Sequence, residues 1–129
     1  MQSRIAEEAS AYHAEPPSDG FEALFHHESL DVYQVGLDFM RWFVELPGAN
    51  ELIDRLCREI DKSATSVVLN IAEGNGRYSE LDHHRFIEIA AASTVRSAAY
   101  LDLYHEKISI NMESGRELLS RIVAMLNRF

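Results

Sequence analysis

The stretch NELIDRLCREIDKSATSVVLNIAEGNGR, residues 50–77, decides the fold class. In it Ile53, Leu56, Ile60, Ala64, Val67 and Ile71 recur at steps of three and four, which places them on one face of an α-helix. Asn50 stands where a side-chain oxygen can take a free amide at the helix start. Gly74 stands where a residue with positive φ would end the helix. A helix this long with a single apolar stripe has to find partners, and the rest of the chain supplies segments of the same kind.

Working outward, Ser29 is a candidate N-cap for a segment that closes after Leu46, at Pro47 and Gly48. Its polar residues Asp31, Gln34, Asp38, Arg41 and Glu45 form one narrow stripe. Leu30, Tyr33, Leu37, Met40 and Val44 make one apolar face, and Val32, Val35, Phe39, Trp42, Phe43 and Leu46 make another, with Gly36 between them. One core needs an apolar stripe only a little over about 100° wide. Two burials are implied, and Val32, Val35, Phe39, Trp42 and Phe43, or the opposite set, are the expected contact between subunits, with Gly36 admitting a close helix from a neighbour. The competing expectation is that residues 1–14 fold back as a fifth helix and cover this face.

Downstream, Ser79 to Lys107 carries Phe86, Ile87, Ala90, Thr94, Ala98, Leu101, Tyr104 and Ile108 on one stripe, with many small residues between Ala90 and Ala99. A last segment from Ser109 or Asn111 carries Leu118, Leu119, Ile122, Val123, Met125, Leu126 and Phe129. No segment shows sustained alternation. Four helices with short connections predict an all-α, antiparallel up-down-up-down bundle over residues 29–129. The breakers Pro16, Pro17, Ser18, Asp19 and Gly20 set residues 1–28 apart as a short, acidic N-terminal extension with an amphipathic stretch of its own, separable from the fold over residues 1–20.

The chain has 129 residues, enough for one core, and a net charge of −9 from 12 basic and 21 acidic residues. Residues 1–28 set Arg4 against Glu7, Glu8, Glu15, Asp19, Glu22 and Glu28, which leaves −4 on the remainder. Such a chain repels phosphate backbones unless its basic residues cluster. The single cysteine, Cys57, excludes an intrachain disulfide and zinc-ribbon pairs, which fits a reducing compartment. Without a signal-like or membrane-spanning run, the expected location is the cytoplasm, with no membrane partner.

Residues 66–77, SVVLNIAEGNGR, followed by RFIEIA at 85–90, AAS at 91–93, and upstream by LDVYQ at 30–34, resemble the four-helix-bundle family of the 23S rRNA intervening-sequence protein. The resemblance covers roughly residues 25–129 and implies an antiparallel bundle, often assembled as a ring-shaped homopentamer, without established catalytic activity. A related protein, the accessory protein of diversity-generating retroelements, is a basic pentamer that binds a reverse transcriptase and its RNA. The family's Gly and Glu at this point are Ala92 and Arg96 here. Asn70, Glu73, Gly74 and Arg77 form the signature loop, in which Asn70 can bond freed carbonyls or the next loop and Glu73 with Arg77 can tie the loop across.

Other chemistry is thin. Glu80-Leu81-Asp82-His83 and Asp102-Leu103-Tyr104-His105 have di-iron-like spacing, yet they lie on one helix about 33 Å apart, so surface histidines are expected and no metal site. The tandem His26-His27 has no ligand at helical spacing. Cys57, with Asp54 and Asp61 near it, reads as a packed thiol. Neither a phosphate-binding glycine loop nor a nucleophile motif occurs, and no cofactor is implied. Arg55, Arg58 and Lys62, with Arg77 and Arg85, make a candidate nucleic-acid or partner contact, but Glu51, Asp54 and Glu59 sit three or four residues before them, as on a solvated helix. The reading is a non-enzymatic oligomeric adaptor or scaffold that binds a protein or structured RNA partner; the alternative is a nucleic-acid-binding accessory protein using the basic stripe of the second helix.

Overall fold

A computed structural model describes residues 25–129, and the expected separability of residues 1–20 lies outside that range. A 3-10 turn, His26–Ser29, leads into α1 (Asp31–Phe43), α2 (Glu51–Asn75), α3 (Glu80–Lys107) and α4 (Glu113–Leu126). No strand is present among the described residues.

Helix ends follow local chemistry. Asn50 Oδ1 accepts from the Ile53 amide at 3.0 Å, Ser79 Oγ from Asp82 at 3.4 Å, and Asn111 Oδ1 from Glu113 at 2.9 Å. Ser29 does not cap α1. It belongs to the 3-10 turn, and Leu30, extended at φ −77° and ψ 131°, is the cap residue, with no side-chain bond. That turn packs on the body: Glu28 is buried, and its carbonyl accepts from Gln34 Nε2 at 2.6 Å. Residues 25–28 therefore pack against the bundle. At the other end α1 stops at Phe43, and Glu45 and Leu46 bond back only three residues, at 3.2 and 3.0 Å, because Pro47 disfavours helical backbone before it.

Each helix packs on its neighbours in chain order, and α4 closes back on α1. The sense of the central pair follows from its contacts. Ser63 meets Ser97 (Oγ–Oγ 2.7 Å), Ser66 meets Ser93 (2.8 Å) and Gly74 faces Phe86, so partner numbers fall as α2 rises and the two helices run antiparallel. Small hydroxylic residues let these helices approach closely and satisfy each other at the seam.

The core holds Val32, Val35, Phe39 and Phe43 of α1 with Ile60, Val67, Ile71, Leu101, Leu119 and Ile122. This corrects the first of the two sets expected at a subunit contact. Val32, Val35, Phe39 and Phe43 are buried inside the chain, and Trp42 is partly buried over Gly115 of α4. The neighbour that Gly36 admits is likewise internal: a Cβ there would lie 2.7 Å from Val68 Cγ1 of α2. In a ring of four each helix serves two neighbours, so α1 places its wide apolar surface against both α2 and α4.

A Cβ on Gly115 would overlap three atoms of the Trp42 ring. Alanine ordinarily favours a helix over glycine by about 1 kcal/mol, yet here a rigid indole has to move. Gly115→Ala is expected to destabilise the fold by about 1–3 kcal/mol, measured as a lower urea midpoint with unchanged slope.

Candidate functional site

The signature residues converge where α2 turns into α3. Asn70 does not reach forward to the loop. Its amide donates back to the Ser66 carbonyl at 2.7 Å and to Ser66 Oγ at 3.1 Å, and Ser66 Oγ pairs with Ser93. The helix runs on to Asn75, so Asn70 is still inside it, and its amide adds a second donor to a Ser66 carbonyl that already takes part in the helix. Gly74 is also not the helix stop: it is buried in the last turn, where a Cβ would come within 3.0 Å of Phe86 Cβ, and Gly76, at φ −86°, is the cap. Close packing of α3 requires the glycine. Glu73 and Arg77 do tie the loop, at 3.6 Å, and the Arg77 guanidinium lies 4.7 Å from the centre of the Phe86 ring.

His83 corrects the surface-histidine expectation. It is 5% exposed, with Nδ1 2.9 Å from the Gly74 carbonyl and its ring 5.8 Å from that of Phe129. A carbonyl only accepts, so Nδ1 carries the proton and fixes the tautomer. The Glu-x-x-His spacing concealed this role, since nothing local shows that His83 faces a helix-end carbonyl nine residues back. His26 is drawn to the same joint, with Nδ1 2.9 Å from Asn75 Nδ2. His105 is exposed as expected, its Nδ1 3.1 Å from the Ile110 carbonyl. Among the described residues no group of three His, Cys, Asp or Glu side chains is placed to hold a metal.

The basic residues do not form one patch. Arg77 and Arg85 lie at the joint, with Arg85 4.0 Å from Asp82. Arg55, Arg58 and Lys62 lie farther down α2, Arg58 about 28 Å along the axis from Arg77 at the helical rise per residue. Lys62 pairs with Glu59 at 3.3 Å, as its spacing predicts, and Arg55 and Arg58 stand exposed. Arg96, at the position of the resembled family's glutamate, turns along its own helix: Nη2 donates to Tyr100 Oη at 3.3 Å, and that hydroxyl donates to Glu59 at 3.5 Å.

Burial first, then the charge of Asp54, pushes the Cys57 thiol above its usual pKa. Burial does the same to Tyr104, whose hydroxyl donates to the Pro47 carbonyl. Between α3 and α4 runs an open groove of about 240 Å³, with Val95, Ala98, Leu119 and Val123 on its floor and the Asp102–Arg116 ion pair, 3.0 Å, at its side.

The family model described as the 23S rRNA-intervening sequence protein matches residues 28–128. No curated protein and no solved structure matches the chain.

Two outcomes follow from this geometry. Replacing Asn70 by Leu removes both donors at the seam and should cost about 1–3 kcal/mol in denaturant unfolding. A raised thiol pKa leaves less thiolate at neutral pH, so iodoacetamide should alkylate Cys57 more slowly than a free cysteine at pH 7.5, with the rate climbing only above the ordinary thiol range. Asp54→Asn removes the smaller of the two causes and should speed the reaction roughly twofold to threefold.

Proposed function

The chain belongs to the 23S rRNA-intervening sequence protein family, and from its surface we propose that it is a non-enzymatic, self-associating adaptor for a protein partner. The observation that supports this most is the outer face of α3, where Leu81 is 69%, Val95 59% and Leu103 49% exposed, although the opposite face of that helix already fills the core. Large apolar side chains left exposed along a helix whose other face is already buried suit a contact with another macromolecule. The signature residues support the same reading. Asn70, Gly74 and His83 direct their polar atoms or close contacts inward, at the joint, and Cys57 is a poor nucleophile. No described helix is long and apolar enough to cross a membrane, and we place the protein in the cytoplasm on its single cysteine.

A second reading, RNA binding at the joint, rests on Arg77 over Phe86 beside Arg85 and Tyr78, the last 72% exposed. Cations interleaved with aromatic rings suit unpaired bases. Glu73 and Asp82 pair with these arginines, and the chain carries −9, which disfavours a polyanion.

Light scattering of the full chain tests the first reading. A particle of several 14.7 kDa chains is expected at micromolar concentration, five for the ring that the resemblance implies, and a monomer would overturn self-association. Duplex and single-stranded RNA should bind more weakly than micromolar at physiological salt. Submicromolar affinity that falls steeply with salt and is lost in Arg77→Glu and Arg85→Glu would establish the second reading instead.

A further inference from the structure

We propose that the outer face of α2 docks an acidic α-helix of a partner protein, along the row Arg55, Arg58, Lys62, Thr65 and Leu69. The inference rests on the protein-adaptor reading and adds a surface and the chemistry of the segment bound there.

The five residues recur at steps of three, four, three and four, so they form one row about 21 Å long on the helix. Arg55, Arg58, Lys62 and Leu69 are exposed, Leu69 by 60%. Such a row drifts by only about 20° in seven residues, and a second helix crossing at about that angle stays against it throughout.

The cations of the row are short of carboxylates. Glu51 and Asp54 stand four residues before Arg55 and Arg58, yet neither arginine has an ion pair among the described residues. Asp54 turns to the other side, its Oδ1 2.8 Å from where a Cβ on Gly48 would lie. Like charges three and four residues apart repel one another along a helix. Of the three cations Lys62 alone is held, by Glu59 at 3.3 Å, and that carboxylate also accepts from Tyr100 Oη at 3.5 Å. The Arg96 guanidinium lies 5.5 Å from the centre of the Tyr100 ring, which brings a fourth exposed cation to the edge of the row.

The occupant follows from this order. Carboxylates at three and four residues along a helix match Arg55, Arg58 and Lys62 in spacing, and an apolar side chain one seven-residue repeat further on covers Leu69. A nucleic acid fits less well. Leu69 offers nothing to a phosphate, and carboxylates border the row on both sides. Glu59 lies toward α3, where it meets Tyr100, and Asp61 lies toward α1, seven residues before the Val68 that packs at Gly36. The row admits a single line of negative charge, whereas a duplex would set phosphates over those carboxylates as well.

The test is fluorescence anisotropy of the full chain with a labelled alanine-based helical peptide at physiological salt. Its glutamates recur at three and four residues on one face, with a leucine one repeat beyond. A peptide of the same composition with the glutamates spread around the helix is the control, and single-stranded RNA is the third arm. The patterned peptide should bind roughly tenfold more tightly than the control. Arg58→Glu and Leu69→Asp, both at exposed positions and checked for folding by circular dichroism, should each weaken it about fivefold to tenfold. Arg55→Glu combined with Arg58→Glu should reverse the preference, binding a peptide with lysines in place of the glutamates better than wild type does. Equal binding of patterned and control peptides, a folded Arg58→Glu variant that binds as wild type, or RNA bound more tightly than either peptide overturns the proposal. Light scattering of the same samples reads self-association separately. An oligomer that ignores the patterned peptide removes this docking row alone, and a monomer that binds it removes self-association and supports the row.

Discussion

The close approach of α2 and α3 is the constraint on which the rest depends. Ser63 with Ser97 and Ser66 with Ser93 bring two helices together through hydroxyls, each bonded across the seam, and Asn70 adds its amide to the same line. Such bonds contribute only about 1 kcal/mol each. Their larger effect is negative: an apolar or bulky residue at any of these places would push the helices apart and leave the remaining hydroxyls without partners. Gly74 and His83 finish the seam, one by having no side chain and the other by bonding the carbonyl of the first. The signature stretch is thus a recipe for one rigid helix pair, and α1 and α4 lie against that pair.

Helix existence and type were legible because the apolar residues of α2 recur at three and four from Ile53 to Ile71, and capping at Asn50 and Ser79 is a local event. What failed was non-local. Gly74 looks like a helix stop because glycine usually serves that purpose, yet its place was set by Phe86 on another helix. His83 looks like a surface residue because its neighbours Glu80, Leu81 and His84 are exposed, yet the turn of the hairpin brings it under the end of α2. Ser29 looks like a cap until the 3-10 turn before it is known.

The first helix shows how a sound inference can lead to the wrong residues. Its apolar surface does exceed what a single contact needs. The excess goes to α2 on one side, through Gly36 and Val68, and to α4 on the other, through Trp42 and Gly115. Counting faces gave two burials and could not say that both lie within one chain, since that depends on α4 closing the ring against α1.

The same reasoning explains why the surplus face on α3 was hidden. Leu81, Ile89, Val95 and Leu103 share a helix with Ile87, Ala90, Leu101 and Tyr104, so apolar residues surround its axis and periodicity alone cannot assign a face. The core removes the ambiguity. Once His83, Ile87, Ala90, Thr94, Ser97, Leu101 and Tyr104 are buried, Leu81, Ile89, Val95 and Leu103 remain outside among charged and small residues. Leu81, Val95 and Leu103 stay exposed on a helix whose opposite face is already full, and on that surplus the proposed adaptor reading rests.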